Sequence, residues 1–195
     1  RAVVFASQSA NLVSGDSNGA SDVFVRDLDA GTTTLASRPN GGGIANNGGS
    51  GGDISADGRR VAFASGSSNL GDGDLDTSSD IHLRDLDAGT TKLVSRADGP
   101  GGAKAVAYEP VISADGRVVA FESTSTSLGL PPASPQQVFV RDIAAATTRL
   151  VSATATGAPA NGVSGPGGMN DDGSLVTFTS SAANLGVTSA SYQQV

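Results

Sequence analysis

Four aspartates in one short segment are the residues whose type and spacing point most directly to chemistry. The segment reads GDGDLDTSSD over residues 71–80, and its carboxylates belong to Asp72, Asp74, Asp76 and Asp80. A hard cation such as Ca²⁺ takes six to eight oxygen ligands, and carboxylates are among its preferred donors. The pattern therefore predicts a candidate Ca²⁺ site in this segment.

A related segment, GDSNGASD, lies nearer to the N-terminus at residues 15–22. Its Asp16, Asn18 and Asp22 match the last three aspartates of the first segment in order and spacing. Two further counterparts, PPASPQQ and VTSASYQQ, lack acidic residues and end in Gln137 and Gln194 at the closing position. Acidic residues are thus lost from the loop and from its last position together, as expected if they share one ligand.

The same residues also fit a purely structural role. Asp and Asn form Asx-turns in loops, and excess acidic charge keeps a surface soluble. The spacing is not that of an EF-hand, because Thr77 replaces the turn glycine and Leu83 stands where the bidentate glutamate belongs. A solubilising, turn-forming loop is therefore the alternative to a metal site.

Groups suited to catalysis are scarce. His82 is the only histidine, and it stands at the position of Phe24 and Phe139 in related segments, which indicates a packing role. The string GGSGG at residues 48–52 satisfies the G-x-S-x-G pattern, but a nucleophile elbow needs a helix after it, and no helical pattern follows. The sequence therefore favours a non-catalytic protein.

Arg-Asp dipeptides recur at residues 26–27, 84–85 and 141–142. One interpretation is a ring of ligand-binding guanidinium groups. The other is a set of repeated hydrogen bonds and ion pairs within a scaffold. The second is favoured, because a function rarely needs one copy per repeat.

Composition argues against several classes of function. The 195 residues include 12 basic and 19 acidic side chains, a net charge of -7, whereas nucleic-acid binding requires clustered Lys and Arg. There is no cysteine, so disulfides and zinc-thiolate sites are excluded. No apolar run is long enough to span a bilayer. We therefore expect neither nucleic-acid binding nor membrane insertion.

Four similar units follow one another along the chain. Phe5, Phe63, Phe121 and Phe178 are separated by 58, 58 and 57 residues, and ISADGRRVAFAS at 54–65 returns as ISADGRVVAFES at 112–123. Asp-Gly pairs keep the same step, and so do Asn-Leu pairs, with Ser-Leu in the third unit. A fixed internal period of this kind indicates a repeat architecture.

Each unit reads as four short strands, which we call A to D. An Asp-Gly turn joins strand A to strand B, and the segments DVFVRDL and TTTLAS are typical of strands C and D. Strand B of the second unit runs Val-Ala-Phe-Ala without alternation, which indicates a sheet buried on both faces. Four-stranded sheets stacked radially are the blades of a β-propeller. The sequence therefore predicts an all-β fold, a β-propeller of antiparallel four-stranded blades.

The phrases ISADGR-VAFAS and DVFVRDL-AGTT-LVS resemble the WD40-like blade repeat of TolB-like β-propellers. The resemblance covers essentially the whole chain, although the repeat is longer than the roughly 40–50 residues usual for a blade. It implies a bacterial propeller, periplasmic or extracellular, that is used for contacts with other proteins.

The units do not add up to a closed propeller. Strands B to D of blade 1 are expected at 1–37, blade 2 at 53–96, blade 3 at 110–153 and part of blade 4 at 168–195. The first and last units both supply a strand B, so they cannot merge into one blade. We expect an open fragment of about three and a half blades with two unpaired sheet edges, whereas propellers close with about four to eight blades.

The long connections are the expected place of function. Strands B and C, and strand D and the next strand A, are joined by roughly fourteen residues each, and antiparallel pairing puts all of these loops at one end of the blades. Loops on a rigid scaffold often carry binding residues, although they also serve as solvated spacers. We therefore expect a non-catalytic binding propeller with a protein or glycan partner. The alternatives are an accessory propeller of a larger secreted hydrolase similar to prolyl oligopeptidases and, less favoured, a propeller lyase or glycosidase.

Overall fold

The computed structural model describes residues 1–186, which form thirteen strands in four antiparallel sheets. The first sheet contains β1 (Ala2–Ser7), β2 (Asp22–Asp27) and β3 (Thr32–Leu35). The second contains β4 (Gly49–Ile54), β5 (Arg60–Ser65), β6 (Asp80–Asp85) and β7 (Thr90–Leu93). The third contains β8 (Tyr108–Ile112), β9 (Val118–Ser123), β10 (Gln137–Asp142) and β11 (Thr147–Leu150). The fourth contains β12 (Ser164–Met169) and β13 (Val176–Ser180).

Within each sheet, strands that are consecutive in sequence pair with each other, so the predicted antiparallel all-β blade is confirmed. Within the described chain, helix is limited to one 3₁₀ turn at Thr126–Leu128. None of the described helices is long and apolar enough to cross a membrane. The first and fourth sheets hold three and two strands, and the four sheets form an open array, as expected for a fragment. The segment SYQQV, predicted to begin the third strand of the fourth blade, lies outside the described residues, as does Gln194.

Strand A begins earlier than the sequence pattern indicates. In the second blade, β4 starts at Gly49 rather than at Asp53, and its pairing with β5 shifts register between Ser50 and Asp53. Similar shifts occur at the start of β8 and within β12. Gly51 in this bulge has a φ of 59°, which favours glycine. Glycine-rich segments lack the β-branched pattern of a strand, which is why the pattern misses these residues.

Both faces of the central blade are buried, as the sequence predicts. Alternate residues of β5 belong to two different cores, with Val61 and Phe63 packing towards the first sheet and Ala62 towards the third. The first core includes Val23 and Val25 of β2, and the second includes Phe121 and Phe139 of the third sheet. Because side chains alternate across a strand, each blade is held between its neighbours by apolar contact on two sides.

An aromatic pair recurs across strands B and C of the first three blades. The ring centroids of Phe5 and Phe24 lie 5.7 Å apart, and those of Phe121 and Phe139 lie 6.0 Å apart, both in stacked geometry. In the second blade, Phe63 stacks at 5.7 Å on His82, which fills the place of the second phenylalanine. His82 thus has the packing role predicted for it.

The repeated arginines join one blade to the next. The Nη1 atom of Arg141 donates to the carbonyl oxygens of Arg96 and Ala97 at 3.1 and 3.0 Å, and Nη2 donates to Gly99 at 2.9 Å. Arg84 reaches the carbonyl oxygen of Arg38 in the same way at 3.4 Å. The aspartate of each pair accepts hydrogen bonds from backbone N–H groups of the turn that follows. These dipeptides therefore stabilise the scaffold, which agrees with the favoured interpretation.

The long loops meet at one end of the blades and contact each other. They comprise residues 8–21, 36–48, 66–79, 94–107, 124–136 and 151–163, which we call the long-loop face. Asn69 of one loop donates to the carbonyl oxygen of Ile44 at 3.0 Å and accepts from the N–H of Asn46 at 2.9 Å. Asn184 makes the equivalent pair of contacts to residues 159 and 161. The recurring Asn-Leu pair thus ties neighbouring loops into one surface.

Candidate functional site

The acidic loop of the second blade brings three of its four aspartates together. It leads from β5 to β6, and Asp80 is the first residue of β6. Asp74, Asp76 and Asp80 each place one carboxylate oxygen within 4.8 Å of the others. The carboxylates of Asp74 and Asp80 are buried, whereas that of Asp76 is exposed. We call these three residues the acidic cluster.

Asp72 does not join the acidic cluster. Its backbone has a φ of 60°, and its Oδ2 atom accepts a hydrogen bond from the N–H of Leu93 at 3.0 Å. The same oxygen lies 3.6 Å from Nη1 of Arg96. Asp72 therefore anchors the loop to strand β7 and to the segment that follows it, so the four carboxylates do not converge.

Lys104 supplies positive charge to the acidic cluster from the next long loop. Its Nζ atom lies 2.8 Å from Oδ1 of Asp74 and 3.6 Å from Oδ2 of Asp80, and it also pairs with Asp76. About a third of the lysine side chain is exposed, so its stem crosses from solvent to the buried carboxylates. The sequence pattern did not indicate this contact, because Lys104 is far from the acidic segment along the chain. The sequence signal that could have identified Lys104 is its departure from the repeat, because Asn46 and Asn161 occupy the same repeat position in other units.

His82 adds a second nitrogen group beside the acidic cluster. Its Nε2 atom lies 3.4 Å from Oδ2 of Asp74, and both side chains are fully buried. Neither ring nitrogen forms a hydrogen bond within residues 1–186, and neither does Oδ2 of Asp74 or of Asp80. Buried polar atoms without partners are costly, and such atoms often mark a site with a role beyond packing.

The pKa values of the cluster reflect its crowded negative charge. Burial, together with the nearby charge of Asp74, raises the pKa of Asp80 to about 6. Burial also disfavours the ionised form of Asp74, but its contacts with His82 and Lys104 outweigh burial and lower the pKa of Asp74. Although burial opposes the charge of Lys104, the carboxylates of Asp74 and Asp76 raise its pKa. Lys104 is therefore charged at physiological pH, whereas Asp80 becomes protonated as the pH falls through about 6.

The matching residues of the first blade are arranged differently. The Asn18 side-chain nitrogen donates to Oδ2 of Asp22 at 2.8 Å and to the carbonyl oxygen of Ala45 at 3.1 Å. Asp22 is fully buried, and Asp16 is nearly so. Burial and the charge of Asp22 raise the pKa of Asp16. An amide nitrogen thus bridges the two long loops in this blade, where a lysine does so in the second.

The third blade explains why acidic residues disappear together. Gln137 occupies the closing position of the loop, and its Nε2 atom donates to the carbonyl oxygens of Ala160 and Gly162 at 3.0 and 3.1 Å. Its Oε1 atom accepts from the hydroxyl of Ser152 at 2.7 Å, as Asp22 and Asp80 accept from their own serines. Because the glutamine carries its own nitrogen donor, no separate amide or ammonium group is needed. The absence of acidic residues from this loop therefore has a structural explanation that does not involve a metal ion.

The acidic cluster has the chemistry of a cation site. Three carboxylates face one ammonium group and one imidazole, so negative charge exceeds positive charge when the imidazole is neutral. Oxygen donors of this kind suit Ca²⁺, which accepts irregular geometry. Catalysis by His82 is disfavoured, because its ring is fully buried against Phe63 and cannot contact a substrate from solvent.

Comparisons with solved structures identify the class of fold. The chain is similar to a structure from a study of two prolyl endopeptidases, with 15% identity over 83% of this chain and 23% of that chain, at a TM-score of 0.50. It is also similar to TolB from Acinetobacter baumannii, with 18% identity over 94% of this chain and 38% of that chain, at a TM-score of 0.49. For the β-propeller domain of the Trilobed protease from Pyrococcus furiosus, the identity is 14% over 82% of this chain and 44% of that chain, at a TM-score of 0.44.

Together with the strand topology, the similarity to the prolyl endopeptidase structure places the chain in the class of β-propellers with antiparallel blades. Its fold is that of an open propeller fragment, as the sequence predicts. No family model matches the sequence, and no curated protein matches it. The chain spans less than half of the length of each of these structures, and the likeness concerns the fold alone.

Proposed function

We propose that this chain is part of a non-catalytic binding propeller that contacts a protein or glycan through the long-loop face. The observation that carries the proposal is Leu75, which lies between two aspartates of the acidic loop and is 84% exposed. Val106, Tyr108 and Val163, in or beside neighbouring loops, are also exposed. Exposed apolar side chains on loops tied together by hydrogen bonds form a surface suited to recognition. The proposal includes an exported location, periplasmic or extracellular, which the family resemblance supports.

A pair of exposed leucines at opposite ends of the blades gives a matched test. Leu75→Ser changes the long-loop face, and Leu175→Ser changes a residue that is 70% exposed in a tight turn at the other end. Both variants are crosslinked in bacterial envelope extract, and the captured proteins and glycans are quantified by mass spectrometry. We expect Leu75→Ser to lower recovery of a specific partner at least tenfold and Leu175→Ser to leave it unchanged. Equal recovery with both variants would contradict the assignment of the face.

A second candidate is an accessory propeller of a larger hydrolase. It is supported by the similarity in fold to the prolyl endopeptidase structure, a likeness that extends to fold and not to activity. The reading frame that surrounds this chain decides between the two candidates. A neighbouring α/β-hydrolase domain, recognised by a strand, a serine nucleophile and a helix in that order, would favour the accessory role. A frame made only of further blades would exclude it.

We also propose that the acidic cluster binds Ca²⁺, with Lys104 swinging outward when the ion enters. The support is the convergence of three carboxylates and the two buried oxygen atoms that have no hydrogen-bond partner among the described residues. A divalent ion balances this charge better than one ammonium group does.

Two aspartates of the same loop provide the control for Ca²⁺ binding. Thermal melting and titration calorimetry of the native chain should show binding at millimolar Ca²⁺ or below, with a rise in Tm. Asp76→Asn should abolish the response, whereas Asp72→Asn should retain it, because Asp72 contacts Arg96 and Leu93 instead of the cluster. Absence of any shift at millimolar Ca²⁺, or equal loss in both variants, would refute the site.

A further inference from the structure

A second concave site lies between the second and third sheets, at the end opposite to the long-loop face. It is a cavity of about 330 Å³, and its lining includes Arg60, Leu83, Asp85, Lys92, Arg117 and Ile143. Arg60 follows one tight turn and Arg117 the next, so two neighbouring blades supply the walls. We call this cavity the turn-side groove.

Strand register directs the basic residues of the second sheet into the groove. Leu83 of β6 belongs to the core shared with the third sheet, and it pairs with Ala62 of β5 and with Lys92 of β7. Directly opposed residues share a face, so Lys92 also faces the third sheet. Arg60 lies two residues before Ala62 in β5 and therefore has the same orientation. Both cations are thus placed by the sheet rather than by a free loop.

The charges in the groove are mainly positive although the chain is acidic. Three cationic side chains line it against the single carboxylate of Asp85, in a protein of net charge -7. Arg60 is held by a hydrogen bond from Nη1 to the carbonyl oxygen of Gly116 at 3.2 Å, and its Nε atom is 3.8 Å from Asp85. Lys92 and the guanidinium of Arg117 form no side-chain hydrogen bond or ion pair within the described part of the chain. They are available to a ligand.

The equivalent positions in the other blades do not form such a site. The residues that match Arg60 at the repeat step are Ala2, Val118 and Leu175. The corresponding groove between the third and fourth sheets has a volume of about 270 Å³, and its charged lining residues are Asp142, Arg149 and Asp172. Arginine recurs at the position of Arg117, as Arg1 and Arg59, and a cation recurs at the position of Lys92, as Arg149. Arg60 is the residue peculiar to this groove, and only here do all three positions carry cations.

We propose that the turn-side groove binds the carboxylate or phosphate group of a small organic anion. Guanidinium groups match both anions through paired N–H donors, and Lys92 adds a point charge. Leu83 and Ile143 provide an apolar surface for the rest of the ligand, and a volume of this order is typical of small-molecule sites. This site is on the face opposite to the one assigned to macromolecular binding, so either proposal can fail without the other.

The test uses substitutions that the chain itself contains at matching positions. Lys92→Thr reproduces Thr34 of the first blade, and Arg117→Ser reproduces Ser174 of the fourth. Arg149→Thr removes the cation that matches Lys92 in the neighbouring groove and serves as the control. Arg60 is left in place because it contacts the next blade, and thermal melting checks that each variant is folded.

Binding of phenyl phosphate, benzoate and inorganic phosphate is measured by NMR titration of the full chain at about 50 mM and 300 mM salt. We expect at least one aromatic anion to bind with a Kd of millimolar or below, and the double variant Lys92→Thr/Arg117→Ser to weaken it at least tenfold. Arg149→Thr should leave the Kd within twofold, and higher salt should weaken binding. The phosphate and carboxylate probes distinguish the preferred anion, and inorganic phosphate reports the contribution of the apolar surface. Failure of all probes to bind at 10 mM, or equal weakening by Arg149→Thr, would overturn the proposal.

Discussion

Replacing the arginine that joins the second and third blades should destabilise the chain far more than replacing its repeat counterparts. Arg141 is 4% exposed, and its two terminal nitrogens form four hydrogen bonds. Three of these go to backbone carbonyl oxygens of the preceding unit, and the fourth goes to Thr148 at 2.7 Å. Arg141→Met keeps an unbranched side chain as far as the position of Nε and removes all four hydrogen bonds.

The expected magnitude follows from the partners that are left behind. A hydrogen bond to a charged group contributes about 1.5–3 kcal/mol, and a buried acceptor left without a partner costs about 1–3 kcal/mol. With three carbonyl oxygens left behind, Arg141→Met should cost about 3–5 kcal/mol. Arg84 makes one carbonyl contact at 3.4 Å and one bond to Thr91, so Arg84→Met should cost about 1–2 kcal/mol. Arg26 is exposed and bonds only Thr33 within the described residues, so Arg26→Met should cost less than about 0.5 kcal/mol.

Urea denaturation followed by circular dichroism measures all three variants under one condition. The loss in free energy of unfolding should increase with the number of carbonyl contacts that each arginine makes. Arg141→Met should therefore be the least stable variant, and Arg26→Met should be close to the native chain. Arg141→Lys should recover little of the loss, because an ammonium group cannot reach the three carbonyl oxygens as a guanidinium fork does. Equal losses at residues 26 and 141 would refute the reasoning, since they would show that the arginines act within their own blades.

Three further predictions concern the second blade. His82→Phe should raise stability by about 1 kcal/mol in thermal melting, because a phenyl ring stacked on Phe63 removes the two unpartnered buried nitrogens of the imidazole. A loss of stability of that size would show that the contact between His82 and Asp74 is stabilising. Asp80 has a pKa of about 6 against 3.8 in the reference state, so its contribution to stability is greatest below pH 3.8 and is lost as the pH rises to 6. Asp80→Asn should therefore match the native chain near pH 4 and exceed it by about 1–3 kcal/mol at pH 7 in urea denaturation, and parallel pH profiles would contradict this. Asn69→Ala should cost about 1–2 kcal/mol through two lost loop contacts, whereas Asn11→Ala, in the same motif at the exposed end of the array, should be neutral by the same assay.

The repeat made the fold predictable from the sequence. Residues such as Phe63 and Phe121 recur with the turns and strands around them, and a blade buried on both faces leaves few alternatives to a propeller. The start of strand A was harder to predict from the sequence, because in the second blade three of its first four residues are glycines and its pairing includes a bulge. A bulge depends on backbone conformation, and residue type indicates it only weakly.

The candidate cation site was only partly predictable. The spacing of Asp74, Asp76 and Asp80 was enough to suggest that they converge, and the structure brings them together. Asp72 belongs to the same segment but has a positive φ, and its carboxylate accepts a hydrogen bond from strand β7 instead of joining the cluster. Lys104 contacts the cluster across a loop junction, and such long-range pairing has no local sequence signal.

Three departures from the repeat lie in the second blade and in the loop that follows it, and they link the two candidate sites. The second unit has Arg60 at the start of strand B, where the other units have an apolar residue. It has His82 in strand C, where the first and third units have phenylalanine. It is followed by Lys104 in the next long loop, at a position where the loops after the first and third units have asparagine. Each change places a charged or titratable group in contact with a carboxylate or a groove. A scaffold role requires only the shared residues, since the first and third blades pack without these three. His82 carries two unpartnered buried nitrogens, and Lys104 and Arg60 bring charge to a long loop and to a tight turn. These three residues are therefore the common basis of the two proposals, a cation at the long loops and an anion at the tight turns.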